Sequence, residues 1–142
     1  MLFRSAGEYL VQANSSLLTI VQIETAEALK NVDGIAAVPG VDVLFVGPFD
    51  LGNALGHPIT GPTMHPELEA AIAKVLAAAQ NAGKKSGIYT PNGEQAKKMA
   101  GLGFDMVNVT ADAIALAMFL GTEVAKAKGG QSIEKMTGPY GK

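Results

Sequence analysis

Two carboxylates stand where short apolar stretches run out. Glu24 closes Leu18-Thr19-Ile20-Val21-Gln22-Ile23-Glu24-Thr25, and Asp50 follows Val43-Leu44-Phe45-Val46-Gly47-Pro48-Phe49. An acidic side chain at the end of a buried strand loses hydration and needs a cation or a donor in exchange. Two such groups together offer the hard oxygen ligands that a divalent metal takes. Each also has a plainer use: Glu24 in a salt bridge to a lysine, Asp50 as the cap of a helix that starts in a turn. Gln22 precedes Glu24 by two positions, so the pleat of a strand points both to one side. There it is placed to bond a substrate or a metal-bound water, or else the neighbouring main chain.

The stretch Gly47-Pro48-Phe49-Asp50-Leu51-Gly52 adds backbone chemistry. Glycine admits a close ligand, proline stiffens the turn, and the amides of Phe49 and Asp50 are candidate donors to an anion such as a carboxylate. His57 and His65 both precede proline and read as loop residues, with His65 at the head of a helix. Asn108 and Thr110 end the last strand and could line the same mouth, Thr110 doubling as the N-cap of the following helix. No GxGxxG follows the first strand, and neither GxxxxGK[ST] nor a serine-nucleophile motif occurs. The methionines fall on apolar stripes and read as core filler.

The elements that must position these groups alternate between two kinds. Runs rich in Val, Ile and Phe at 17–23, 41–46, 86–89 and 105–109 predict strands buried on both faces. Between them lie helical periods: 26–38, broken near Asn31; 67–82, with Leu68, Ala71, Ile72, Val75, Leu76 and Ala79 on one stripe; 92–100, stopped by Gly101; and 111–128. Ser5 and Glu8 have capping-box spacing for an opening helix. A helix followed by four βα units implies an α/β fold with a parallel sheet, right-handed crossovers and helices over its faces. Connections into strands are short, whereas 47–64 reads as a long loop with glycines and prolines. In such folds the elaborate loops after strands host the site, which places chemistry beside Glu24 and Asp50.

The 142 residues suit one domain, read as 1–128 with a polar, glycine-rich tail at 129–142. With 48% hydrophobic and 17% charged residues the chain has enough apolar material for a core. A net charge of -2, with the 11 basic residues scattered, argues against nucleic acid and anionic membrane as partners. Cysteine is absent, which removes disulfides, thiolate metal sites and cysteine nucleophiles and suits a reducing compartment. No apolar run approaches the roughly 18 residues that span a bilayer, and a cytoplasmic location is expected.

Three segments, Val21-Gln22-Ile23-Glu24-Thr25, Val38-Pro39-Gly40-Val41-Asp42 and Phe45-Val46-Gly47-Pro48-Phe49-Asp50-Leu51-Gly52, together resemble the HpcH/HpaI aldolase family of metal-dependent class II aldolases. The similarity runs over about 17–126. It implies the C-terminal half, strands five to eight, of a TIM (β/α)8 barrel, since a whole barrel takes about 250 residues. It implies that Glu24 and Asp50 ligate magnesium, manganese or cobalt, and that Gln22 lies by the substrate. The loop Gly47, Pro48, Phe49 and Asp50 would receive the carboxylate of pyruvate on its amides. The implied reaction is reversible cleavage of a 4-hydroxy-2-oxo acid to pyruvate and an aldehyde through a metal-stabilised enolate. The family's catalytic arginine and histidine belong to the preceding half, so no catalytic residue is assigned here, Arg4 included. Phe49 and Gly52 stand where many relatives have Ala and Ser. Relatives form oligomers in which the last helix, here 111–128, can pack on a neighbour, so a homo-oligomer is expected.

Two other readings follow from the residues. One is a non-catalytic βα module serving assembly or binding. The other is a phosphate site at a helix start near 108–112, which the charge of Asp112 opposes.

Overall fold

The computed structural model describes residues 5–129. Arg4 and tail residues 130–142 lie outside them. In chain order the elements are α1 (Ala6–Ser16), β1 (Ile20–Ile23), α2 (Ala26–Lys30), α3 (Val32–Ala36), β2 (Val43–Val46), α4 (Pro48–Ala54), α5 (Pro66–Asn81), β3 (Lys85–Thr90), α6 (Gly93–Leu102), β4 (Met106–Val109) and α7 (Asp112–Ala127).

Local chemistry sets most of the boundaries. Ser5 and Glu8 form the reciprocal capping box at the start of α1. Asn31 is the C-cap of α2 and the N-cap of α3, the break expected there. His65 caps α5 with Pro66 in its first turn, and Asn92 caps α6 by accepting from Gln95 N at 2.9 Å. The stop of α6 is Gly103 rather than Gly101. Gly103 has φ +101, the left-handed conformation that a Cβ resists, whereas Gly101 lies within the helix.

Three expectations are corrected. The long loop after β2 opens with the helix α4, because Pro48 has its φ preset for the first helical position and Leu51 has a core to enter. Thr110 is not a helix cap: Ala111 is, and Thr110 takes φ +58 between β4 and α7. The strands are not covered on both faces, for a topological reason given next.

The four strands are parallel and lie in the order β1-β2-β3-β4. Crossovers of one hand between consecutive neighbours must put every connecting helix on the same side of the sheet. A doubly wound sheet covers both sides only because its strand order reverses. On the covered side Ile23, Val46, Ile88 and Val107 lie in register across all four strands. They meet Val32 and Ala36 of α3, Leu51 of α4 and the apolar stripe of α5, where Leu68, Ala71, Ile72, Val75, Leu76 and Ala79 are all buried. Removing one such Leu, Ile or Val side chain from water contributes about 1.5–3 kcal/mol. The other side carries Ile20, Gln22, Phe45, Gly87, Tyr89, Met106 and Asn108, and it stays open enough that Ile20 is 46% and Met106 36% exposed. Phe45 lies across Gly87 there, so close that a Cβ on Gly87 would meet its ring at 2.6 Å.

Candidate metal and substrate site

Ile23 pairs with Val46, so the chains of β1 and β2 leave the sheet side by side at its carboxyl edge, and Gly47 N donates to Ile23 O at 3.4 Å. Glu24 and Gly47 are therefore adjacent. The pleat places Gln22 and Glu24 together on the open face, as the spacing predicts, and Gln22 Nε2 donates to Glu24 Oε2 at 2.6 Å. A hydrogen bond to an ionised acceptor is stronger than a neutral one, and this one fixes the carboxylate through a single oxygen. Gln22 thus bonds a side chain, not the neighbouring main chain. Glu24 is half-buried, and among the described residues it has no cationic partner, so the lysine bridge is not formed.

Gly47 is the residue that lets this arrangement exist. A Cβ there would lie 2.6 Å from Gln22 Nε2, 3.2 Å from Glu24 Oε2 and 3.4 Å from Glu24 Cβ. Its φ of -98 is open to any residue, so the requirement is for space, not for backbone freedom. Gly47 is also the N-cap of α4, and Leu51 N donates back to its carbonyl at 2.9 Å. Asp50 accordingly sits in the first turn of α4 and is not the cap. Pro48 brings no N–H to that turn, which makes the amides of Phe49 and Asp50 its leading donors. The Asp50 side chain is exposed, and no ion pair to it forms among the described residues. Carboxylate oxygens are hard donors, of the kind that suits magnesium or manganese better than a soft ion, and no ammonium competes for either group among the described residues.

The remaining sequence candidates go elsewhere. His57 and His65 stack on each other, ring centroids 3.7 Å apart, and flank the start of α5. Asn108 is exposed on β4, opposite Tyr89 of β3. The Thr110 and Tyr89 hydroxyl oxygens are buried without a hydrogen-bond partner. Tyr89 was missed from sequence, although its place two residues after Gly87 in an alternating strand puts it on the open face. At the opposite, amino-terminal edge the acidic groups are all engaged. Asp42 Oδ2 accepts from Thr19 N at 2.7 Å. Asp105 accepts from Lys85 Nζ at 2.7 Å, Ser86 N at 3.0 Å and Ser86 Oγ at 3.2 Å. The Lys85 ammonium first, then the Ser86 amide, holds the Asp105 carboxyl below its ordinary value of 3.8.

Parallel βα units wound in one direction, with acidic groups presented at the carboxyl edge, define a barrel-type α/β layer. The chain belongs to the HpcH/HpaI aldolase/citrate lyase family, whose model matches residues 2–117. It is 43% identical over 122 residues to a hydroxypyruvate/pyruvate aldolase of Chromohalobacter salexigens, covering 86% of this chain and 47% of that one. It is 44% identical over 110 residues to a 4-hydroxy-2-oxo-heptane-1,7-dioate aldolase of Klebsiella pneumoniae, covering 78% and 41%. Among solved structures, an HpcH/HpaI aldolase/citrate lyase family protein from Burkholderia cenocepacia superposes with a TM-score of 0.76 at 39% identity, over 85% of this chain and 46% of that one. The chain therefore spans a little under half the length of the relatives it matches. Its four-stranded parallel sheet is consistent with part of a TIM-barrel-like aldolase. Among the described residues no helix is long and apolar enough to cross a membrane.

Proposed function

We propose that this chain is the metal- and substrate-binding portion of a divalent-metal-dependent aldolase, a lyase that cleaves 4-hydroxy-2-oxo acids reversibly to pyruvate and an aldehyde. Its four βα units correspond to strands five to eight of the barrel, and its setting is cytoplasmic. Support comes from the family membership, from a relative named as a 4-hydroxy-2-oxo-heptane-1,7-dioate aldolase, and above all from one observation: Glu24, just past β1, is packed against Gly47 with no cationic partner among the described residues, and Gly47 opens the helix whose first turn carries Asp50.

Each residue has a part in this reading. Glu24 and Asp50 hold a magnesium, manganese or cobalt ion. Gln22, by binding Oε2, aims the Glu24 carboxylate and keeps its second oxygen for the cation. Gly47 and Pro48 turn the chain so that the amides of Phe49 and Asp50 donate to the pyruvate carboxylate. When bound, the cation supplies the positive charge that steadies the enolate oxygen as the carbon–carbon bond breaks. The acid–base groups of the reaction are not assigned to any residue here.

Isothermal titration of manganese with pyruvate tests the site. Glu24→Ala and Asp50→Ala are each expected to weaken manganese binding at least about tenfold to a hundredfold. Metal-free stability should change by no more than about 0.5 kcal/mol for Asp50→Ala, which has no ion pair among the described residues to lose, and by about 1 kcal/mol for Glu24→Ala, which loses the bond from Gln22. Binding indifferent to both substitutions overturns the proposal.

A second reading, an assembly or binding module without catalysis, is favoured by the outer helices. No residue of α1 or α7 is buried, and Leu116, Met118, Phe119 and Leu120 of α7 are 52–63% exposed. Apolar surface of that extent marks association with another copy of the chain. A homo-oligomer by light scattering whose melting temperature ignores manganese and pyruvate would support this reading over the aldolase, because an occupied site raises apparent stability.

A further inference from the structure

The segment joining α4 to α5 carries chemistry that the aldolase site does not use. One nitrogen each from His57 and His65 and a carboxylate oxygen of Glu67 lie within 4.8 Å of one another. The imidazoles are stacked, with centroids 3.7 Å apart and planes 6° from parallel, and His57 Nε2 donates to Glu67 Oε2 at 3.0 Å. We propose that His57, His65 and Glu67 form a second metal site, for a transition ion of the zinc class, distinct from the carboxylate site at Glu24 and Asp50.

The donor set selects the ion. Two imidazoles and one carboxylate suit zinc, cobalt, nickel or copper, whereas magnesium prefers oxygen alone. Three protein ligands also leave a fourth tetrahedral position for water. The separation of His57 Nε2 from Glu67 Oε2 is already close to that of two donors on one tetrahedral ion, so the metal takes the place of the proton they share. At His65 the metal displaces a weak bond: Nδ1 accepts the helix-capping hydrogen bond from Glu67 N at 3.3 Å, a long contact whose loss costs little. The positive end of α5 opposes a cation, and Glu67 and Glu69 in its first turn offset that field.

The backbone brings the two histidines together beforehand, and one ring turns out of the stack on binding, because parallel rings direct their in-plane nitrogen lone pairs along parallel lines. His57 N donates to Gly52 O at 2.8 Å, and the His57 carbonyl lies so near Gly52 that a Cβ there would meet it at 2.8 Å. His65 is fixed as the N-cap, with Pro66 next to it. A metal at this point ties the end of α4 to the start of α5 and so braces, from behind, the helix whose first turn carries Asp50. With the backbone positions set beforehand, only side-chain rotation remains to be ordered on taking the ion.

Cobalt(II) absorption spectroscopy on the full chain tests the site, because tetrahedral and octahedral cobalt differ strongly in intensity. The wild type is expected to show one cobalt with an intense, tetrahedral-type spectrum, displaced by zinc and not by excess magnesium, over any weak octahedral signal from cobalt at Glu24 and Asp50. His57→Gln and His65→Asn should each weaken binding at least about tenfold. Asparagine at 65 still accepts the capping bond from Glu67 N, so that variant keeps the start of α5 and separates metal loss from misfolding. The double variant Glu24→Ala/Asp50→Ala should retain the intense tetrahedral spectrum, which keeps the outcome independent of the aldolase proposal. A wild type that gives only a weak octahedral spectrum, or one that titrates like the two histidine variants, overturns the inference. So does an intense signal lost on removing Glu24 and Asp50.

Discussion

The two edges of the sheet treat their acidic groups in opposite ways. At the amino-terminal edge Asp42 takes a backbone amide at 2.7 Å, and Asp105 takes an ammonium, an amide and a hydroxyl, so both carboxylates are consumed by structure. At the carboxyl edge Glu24 receives one bond, from a neutral amide, and Asp50 has no ion pair among the described residues. The difference teaches which end of this βα layer is spent on stability and which, in the proposed function, is kept for a ligand. Side chains at the amino edge close the joins between strands, while those at the carboxyl edge are held ready at a small cost in folding free energy.

The sharpest way to break that contrast is at Gly47. Alanine there drives a Cβ against Gln22 Nε2 at 2.6 Å and Glu24 Oε2 at 3.2 Å. Gln22 can swing away, but Glu24 then loses the bond that aims it. The expected result is a loss of manganese affinity of about tenfold to a hundredfold, with overpacking costing about 1–3 kcal/mol of stability. Gly52→Ala is the paired control. Its Cβ would meet His57 O at 2.8 Å and Leu68 Cδ2 at 3.1 Å, so it strains the fold by a comparable amount, relieved in part by the better helix propensity of alanine. Manganese affinity should stay within about threefold of the wild type in a titration. Equal affinity losses in the two variants would erase the distinction between the site and its scaffold.

The opposite edge predicts an effect on stability alone. Asp105→Asn removes an ion pair and weakens the acceptor for Ser86, and with Asp105 36% exposed the loss should be about 1 kcal/mol at neutral pH. The sign with pH follows from the lowered carboxyl. A group whose folded value lies below its unfolded 3.8 stabilises the fold above 3.8 and loses that contribution as the pH falls through the folded value. Urea melts of wild type and variant should therefore differ at neutral pH and draw together as the pH falls below 3.8. Manganese affinity should not change. A shift in it would mean that the two edges are coupled through β3 and β4.

Legibility in the sequence followed the range of the interaction concerned. The stripe of α5, the Asn31 break and the His65 and Asn92 starts depend on spacing and capping within a few residues, and these are found as expected. That Gln22 and Glu24 share one side was legible because a pleat repeats every two residues, whereas Glu24 is not among the partners expected for Gln22. What escaped depended on contacts distant in sequence. The open face of the sheet follows from the strand order, not from any one strand, since Val, Ile and Phe runs look alike whether one or two layers cover them. The helix α4 was hidden in a segment rich in Gly and Pro because Leu51, which anchors it, contributes only one apolar residue to the local pattern. The cluster of His57 with His65 and Glu67 joins two ends of a connection whose path no periodicity describes. Glu24 and Asp50 are legible as a pair from their places after two apolar stretches, and the family motif adds the roles, for their spacing alone does not separate a ligand from a salt bridge or a cap.

The smallest effect is expected between the edges, where Lys98 of α6 meets Glu69 of α5 at 3.0 Å. Both side chains are about half exposed, at 59% and 49%, so water screens the pair and ordering two long side chains offsets much of the attraction. Lys98→Ala should change stability by less than about 0.5 kcal/mol and less still in high salt, with manganese affinity untouched. This pair calibrates the whole comparison, because it shows what a carboxylate with a partner is worth when it serves neither a strand join nor a ligand. Asp105, with its backbone and hydroxyl donors as well as an ammonium, should exceed that baseline in a denaturation series. Asp50 should not exceed it in stability, and both Glu24 and Asp50 should stand far above it in metal binding. A Lys98→Ala loss as large as that of Asp105→Asn would show that α5 and α6 depend on surface charge, and the amino edge would lose its claim to a special structural role.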